Sequence, residues 1–258
     1  MLNILLERLR QGKRTVAFPA AMPPLPPRFR GLPVLAESPC AAGCASCAGA
    51  CPTGALGADE QGLYLDLGRC ILCGTCAEAC PGRRVSFSRD HRLASSTRDG
   101  LVLRPGGRLP HVAPLEPARR KLFAKSLRLR QVSAGGCNAC EADTNVLTTI
   151  VFDLGRFGID FVASPRHADG VAVTGPVTRN MLEATLGTFA AVPDPRVGIA
   201  IGTCAISGGL FDGSPETTGG ATPHLPLDLY IPGCPPHPLT ILDGLLRLLG
   251  QQTPPPTA

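Results

Sequence analysis

Val197-Gly-Ile-Ala-Ile-Gly-Thr-Cys204 reads as a buried strand that ends on a thiol. Its β-branched and small apolar residues run on without the polar alternation of a half-exposed strand, so both of its faces must be covered. Four more short runs read as strands: SLRLRQV at 126–132, IDFVAS at 159–164, GVAVTG at 170–175 and LDLYIPGC at 227–234. Between them, DTNVLTTIVFDLGRF (143–157) and TRNMLEATLGTFA (178–190) have helical spacing, and HPLTILDGLLRLLG (237–250) follows the last strand. Strands alternating with helices imply right-handed crossovers and a doubly wound, mainly parallel sheet, an α/β domain over residues 119–250.

Three strand ends in this domain deliver cysteine. Cys137 and Cys140 sit in Gly135-Gly-Cys-Asn-Ala-Cys-Glu141 just after the first strand, Cys204 ends the fourth, and Cys234 ends the fifth before Pro235-Pro236. Ligands of open α/β sheets bind outside the carboxyl ends of the strands, so these four thiols meet at one edge. A free cysteine is often a small buried hydrophobe, but four of them at strand ends, in segments that carry Gly or Pro, are better read as the ligands of one 4Fe-4S cluster.

Eight further cysteines lie in residues 36–90, in the runs Cys40-Ala-Ala-Gly-Cys44-Ala-Ser-Cys47-Ala-Gly-Ala-Cys51-Pro52 and Cys70-Ile-Leu-Cys73-Gly-Thr-Cys76-Ala-Glu-Ala-Cys80-Pro81. Zinc sites usually take paired C-x2-C units without a terminal Cys-Pro, so the spacing favours two cubanes. A loop with three close thiols wraps three corners of a cubane, while the fourth Cys is carried off on a short helix to the neighbouring cluster. Ligation therefore crosses: Cys40, Cys44, Cys47 and Cys80 hold one cluster, and Cys70, Cys73, Cys76 and Cys51 the other. One departure stands in the first run, where Cys40 to Cys44 is C-x3-C; a bulge at Ala41-Ala42-Gly43 absorbs the extra residue. The expected total is three 4Fe-4S clusters on twelve cysteines.

Six disulfides in a secreted protein are the competing account of twelve cysteines, but that reading wants a short exported chain. No run approaches the roughly 20 apolar residues of a membrane span, and the start Met1-Leu-Asn-Ile-Leu-Leu-Glu7 lacks the pattern of a signal peptide, so a cytoplasmic protein is expected. High Gly (30) and Pro (27) with 4% aromatics and no Trp point to turns and cofactor loops. A net charge of +5 from 25 basic and 20 acidic residues argues for an acidic partner or anionic surface, not for nucleic acid.

Outside the cysteine-bearing regions, residues 1–14 put Leu2, Leu5, Leu6 and Leu9 on one helical stripe, the mark of an amphipathic helix that lies on its own domain, a partner or a membrane surface. The Pro-rich segment from Phe18 to Gly31 completes an N-terminal helix and extended strap over 1–35. Residues 36–90 form a two-cluster ferredoxin-like α+β domain, 91–118 a linker without sustained periodicity, and 251–258 a disordered tail.

The two runs resemble bacterial two-cluster ferredoxins, and QGKRTVAFPA (11–20) and PPRFRGLPVL (26–35) look like the segment leading into the ferredoxin-like subunits of complex I and formate hydrogenlyase. GGCNACEAD (135–143), RFGIDFVASPRHADGVAVTGPVTRNM (156–181), GTCAISGGLF (202–211) and IPGCPPHP (231–238) resemble the B subunit of NADH:quinone oxidoreductase and, more closely, the small subunit of energy-converting NiFe hydrogenases. Complex I subunits have adjacent cysteines at the first pair, whereas Cys137-x2-Cys140 is the hydrogenase-like arrangement. The family usually has Glu three residues after that pair; this chain has Asp143, with Glu141 nearby. Arg166 and His167 either face the cluster or the partner or, as the preferred reading, make an ordinary loop salt bridge, and Thr174-Gly-Pro176 and Ser207-Gly-Gly209 read as turns, not phosphate loops.

No nucleophile with its base and no flavin or nicotinamide fingerprint is present. The resemblance implies a non-catalytic electron-transfer subunit of an oxidoreductase complex. Its partners would be a hydrogenase-like large subunit, membrane subunits that hold it at the cytoplasmic side of the membrane, and a donor or acceptor protein. The alternatives are a complex I-like quinone-reducing or nickel-free assembly, and a free-standing iron–sulfur sensor or scaffold.

Overall fold

The computed structural model describes residues 2–38, 40, 44–108 and 110–252. The C-terminal half is built on a five-stranded sheet of β6 (Leu127–Ser133), β7 (Ile159–Phe161), β8 (Gly170–Thr174), β9 (Val197–Ile201) and β10 (Leu229–Ile231) in the order β10-β9-β8-β6-β7. Every pairing is parallel. The strand order reverses between β6 and β8, which makes their carboxyl ends the crevice of the domain. β8 and β9 are buried at every position, as their unbroken apolar sequences require.

One face of this sheet carries Leu127, Leu129, Ile199, Ile201, Leu229 and Ile231, packed against α8 (Pro238–Leu248). That helix is buried along its whole length. Each of its fully buried leucines contributes about 1.5–3 kcal/mol relative to exposure. The other face is shared. Val171 and Val173 pack under α6 (Arg179–Ala190), whereas Ala200 and Tyr230 belong to a core that includes Leu65, Leu67, Leu93 and Leu101 of the N-terminal half. The connection from β9 to β10 holds only α7 (Thr203–Ser207) and one further short turn, so no long crossover helix covers that end of the sheet. The cysteine-rich part takes its place.

That part is α+β. β1 (Pro33–Leu35) pairs antiparallel with β4 (Val85–Phe87), and β2 (Leu56–Asp59), β3 (Gly62–Asp66) and β5 (Val102–Leu103) form an antiparallel sheet. Between the strands lie the short helices α2 (Ser46–Gly49) and α3 (Thr75–Ala79).

Residues 91–118, expected as a linker, are packed instead. Leu93, Ala94, Leu101, Leu103, Val112 and Leu115 are buried, Ser95 exchanges two backbone hydrogen bonds with Tyr230 of β10, and α4 (Pro117–Phe123) closes the stretch. Polar and Gly/Pro-rich composition hid this, because the stretch buries single apolar residues at irregular intervals.

The strap is anchored as well. Val16 donates to Val151 O at 2.8 Å, Arg156 Nη2 donates to the carbonyls of Val16 and Phe18, and Phe18 is 3% exposed with its ring edge-on to His91. α1 (Leu2–Gln11) is different: Leu5, Leu6 and Leu9 are exposed, so the apolar stripe is not covered by described residues. Only the first two residues of the expected tail are described, and 253–258 lie outside the described residues.

At the seam between the halves sits a buried polar group. Arg247 Nε donates to Asp243 Oδ1 at 3.0 Å, and His91 Nε2 lies 3.9 Å from the same oxygen without a hydrogen-bond partner among the described residues. Burial pushes the His91 imidazole down to about 4; Asp90 opposes this, and the charges of Arg92, Arg247 and His237 add to it. Because the unfolded chain takes up this proton near pH 6.5 and the folded chain does not until about pH 4, stability is complete above 6.5 and falls as pH drops through that window. Between pH 7 and pH 5 the contribution is about 1–2 kcal/mol after residual solvent screening. Urea midpoints of the full chain should fall over this interval, and His91→Gln should flatten the fall; an equal fall in the variant rejects the assignment.

Candidate iron–sulfur sites

The second cysteine run forms a tight loop. Leu72 and Gly74 both have positive φ (55° and 88°), which curls the chain so that Cys70, Cys73 and Cys76 turn toward one point. These three and Cys51 line one small cavity, together with Leu65 and Phe87. Burial pushes the Cys70 thiol up to about 12, aided by the neighbouring charges of Cys76, Cys51 and Cys73. It pushes Cys76 up to about 11, aided by Cys73 and Cys51. Cys51 departs in the other direction: burial raises it, but hydrogen bonding from Thr53, Ala55 and Leu56 outweighs that and leaves it lowered. Donors already aim at these sulfurs, with Ala55 N 3.2 Å from Cys51 Sγ, Leu72 N 3.4 Å from Cys70 Sγ and Thr75 Oγ1 3.3 Å from Cys73 Sγ.

In the first run, Cys47 on α2 is raised by burial and then by the charges of Cys80 and Cys40. Cys80, at the end of α3, accepts from Arg84 N at 3.1 Å. Each short helix thus takes the last cysteine of its run toward the thiols of the other run. Cys44 is exposed, 3.9 Å from Ser46 Oγ, and its thiol is lowered by the backbone and hydroxyl of Ser46; neither Cys47 nor Cys80 acts on it. The bulge expected at Ala41-Ala42-Gly43 lies outside the described residues.

The third group stands at the crevice. Asn138 takes a left-handed backbone (φ 70°) at the start of α5 (Ala139–Val146), which places Cys140 in the first turn of that helix, where its dipole favours a thiolate. Cys204 has the same place on α7. Burial raises the Cys140 thiol, and Cys204, Glu141, Cys234 and Cys137 add to it. Burial pushes Cys204 up to about 11, with Cys234 and Cys137 next among the causes, and raises Cys234 with help from Cys137. All four strand-end thiols therefore lie within one another's fields. Gly202 explains how the backbone passes so close: its φ is +93°, and a Cβ there would stand 2.5 Å from Cys140 Sγ.

α5 begins four residues earlier than the helical pattern indicated and stops at Val146, with turns running on to Asp153. The earlier start matters, because it buries Glu141. That carboxylate is 6% exposed and accepts from Ser133 Oγ at 2.6 Å and Thr174 Oγ1 at 2.7 Å, clamping the ends of β6 and β8 to the helix that carries Cys140. The family resemblance pointed to Asp143 as the acid of interest, but it is half-buried and raised by burial alone. The missed signal was position: Glu141 directly follows Cys140. Arg166 and His167 are exposed on a short 3-10 turn over Pro165–His167, and among the described residues neither makes the loop salt bridge expected of them.

Clusters of this kind fit the residues present. Four thiols converge in two of the groups, burial and mutual repulsion penalise bare thiolates there, and hydrogen-bond donors point at sulfur. Among the described residues no three His, Cys, Asp or Glu side chains crowd together enough for a single metal ion. A cubane asks for less, since each thiolate binds a separate iron.

Fold and sites together define an iron–sulfur protein of the α/β class with an added ferredoxin-type segment. The family described as NADH ubiquinone oxidoreductase, 20 Kd subunit, matches residues 137–248, and a 4Fe-4S binding domain matches residues 63–83, which hold the second cysteine run. The chain belongs to the 20 kDa subunit family. It is 40% identical over 139 residues to "Formate hydrogenlyase subunit 7" of Escherichia coli, covering 54% of each chain. It is 40% identical over 129 residues to "Probable membrane-bound hydrogenase subunit mbhJ" of Pyrococcus furiosus, covering 50% of this chain and 77% of that one. To the NADH-quinone oxidoreductase B subunit of Citrifermentans bemidjiense it is 42% identical over 113 residues, covering 44% of this chain and 66% of that one. The chain thus spans about half the length of the formate hydrogenlyase relative. No described helix is long and apolar enough to cross a membrane.

Proposed function

We propose that this chain is the electron-transfer subunit of a membrane-associated oxidoreductase complex of the energy-converting NiFe hydrogenase type, as in formate hydrogenlyase. Cys40, Cys44, Cys47 and Cys80 hold one 4Fe-4S cluster, Cys70, Cys73, Cys76 and Cys51 a second, and Cys137, Cys140, Cys204 and Cys234 a third. When bound, such clusters supply reversible one-electron storage and transfer. The chain's own part is to hold them in line and shield them from water. It also presents the strand-end site toward a larger partner subunit that carries the catalytic centre, while a donor or acceptor protein meets the ferredoxin-like part and membrane subunits hold the complex at the cytoplasmic face.

The observation that carries this reading is the meeting of Cys137 and Cys140 with Cys204 and Cys234 at the sheet's carboxyl edge. The C-x2-C spacing of the first pair and two relatives with hydrogenase names favour the hydrogenase side. The second reading, a complex I-like quinone-reducing assembly, draws support from the NADH-quinone oxidoreductase relative.

Chemical analysis of the anaerobically purified full chain tests the cofactor set. It should give about twelve irons and twelve acid-labile sulfides per chain, four of each per cubane. About eight irons, or zinc in their place, would remove the three-cluster assignment.

A further inference from the structure

Thr203 is fully buried, and its side chain joins two sites. Its hydroxyl donates to the backbone carbonyl of Cys70 at 2.9 Å and accepts from Gly233 N at 3.3 Å. Its own amide donates to Gly233 O at 2.9 Å. Thr203 is bonded to Cys204, and Gly233 to Cys234. One hydroxyl therefore touches the backbone of the loop that starts with Cys70 and the backbone leading to Cys234, from the residue before Cys204. A hydroxyl has one hydrogen to donate and two lone pairs, so a donated and an accepted bond use it well and fix its rotamer.

A second contact supports the first. Ser207, at the other end of α7, donates its Oγ to Gly68 O at 2.8 Å, two residues before Cys70. Gly68 passes so close to α7 that a Cβ there would lie 2.9 Å from Ile206 Cγ2. The loop is held further by Asp66, which accepts from Gly68 N at 2.8 Å and from Arg98 Nη1 at 2.7 Å, and by the Arg69–Asp212 pair at 2.7 Å. Apolar packing has no direction and tolerates sliding, whereas two hydrogen bonds from one helix to one loop set its distance and angle.

We infer that Thr203 is the positioning residue that sets the spacing between the Cys70 site and the strand-end site, through its bond to the Cys70 carbonyl. Thr203 acts on the backbone of the ligand loops and takes no part in ligation. The inference rests on the three-cluster reading, and iron analysis of the unaltered chain checks that reading separately.

The test compares full-length wild type, Thr203→Val and Thr203→Ser, each reduced with dithionite and examined by EPR. Valine keeps the shape and leaves a buried carbonyl and amide without their partner; serine keeps the hydroxyl. The splitting to be read is that between the reduced strand-end and Cys70 clusters, so each chain also carries Cys80→Ala, which removes the Cys40 cluster and its own coupling to the Cys70 cluster. Thr203→Val should retain the iron content of the chain that keeps Thr203 yet lose or narrow that splitting, and Thr203→Ser should restore it. If the valine variant does not fold, Ser207→Ala, which removes only the second bond, should narrow the splitting in part. Unchanged splitting in a Thr203→Val chain loaded at both sites, or in Ser207→Ala where that variant carries the test, overturns the inference. A wild type lacking iron at either site overturns the reading beneath it instead.

Discussion

Cys51→Ala should abolish the EPR signal of the site built on Cys70, Cys73 and Cys76, and spare the site that begins at Cys40 in its own run. Cys51 lines the same cavity as Cys70, Cys73 and Cys76, and its charge is felt by Cys70 and Cys76. Cys80, by contrast, acts on Cys47. With one of four thiolates gone and two of the other three, Cys70 and Cys76, buried among repelling charges, that cubane loses its closed ligand set, and iron should drop from about twelve to about eight per chain. Cys80→Ala should give the reciprocal result. Loss of the Cys40 site alone on removing Cys51 would mean that each run closes on itself and that the crossing is wrong.

Much of this was legible because iron–sulfur ligation writes itself in fixed spacings. Cys70, Cys73 and Cys76 have the spacing by which a loop reaches three corners of a cubane, and the structure brings all three to one cavity. The five strands were legible for a related reason: a parallel sheet is buried on both faces, and VGIAI and GVAVT have few other uses in an α/β fold. Helix α6 and helix α8 followed from their apolar spacing and came out within a residue or two of the reading.

Other features left no such trace. The packing of residues 91–118 depends on Leu93, Ala94 and Leu101 meeting partners more than a hundred residues away, Tyr230 and Gly244 among them, and no local period records that. The role of Glu141 depends on Ser133 and Thr174, which reach it only after β6 and β8 are side by side. Thr203 looked like one letter of a strand end, and its tie to Cys70 is a product of one half of the chain covering a sheet face that the other half leaves open. The same covering has a practical consequence: a fragment starting near residue 119 would expose Ala200, Ala205, Ile206 and Tyr230, so the sites are best studied in the full chain.

The largest functional effect belongs to Cys234→Ser. This cysteine is exposed at the carboxyl edge of the sheet, on the strand-end site, and the Gly and Pro around it leave the site close to the protein surface, where a partner subunit can approach. On the proposed reading the chain is the only conductor between donor and catalytic partner, so an open ligand set at this last station should stop turnover while leaving the ferredoxin-like part reducible. Substitution by serine changes one atom, and Cys234 lies outside the buried cores, so assembly should survive. The decisive measurement is hydrogen evolution or quinone reduction by the assembled membrane complex carrying Cys234→Ser, with EPR of the remaining clusters and a check of subunit content. Loss of turnover with the Cys40 and Cys70 signals still reducible by the donor is the predicted result; undiminished turnover in an assembled complex that lacks the strand-end cluster would show that electrons bypass this chain and that its clusters serve as scaffold.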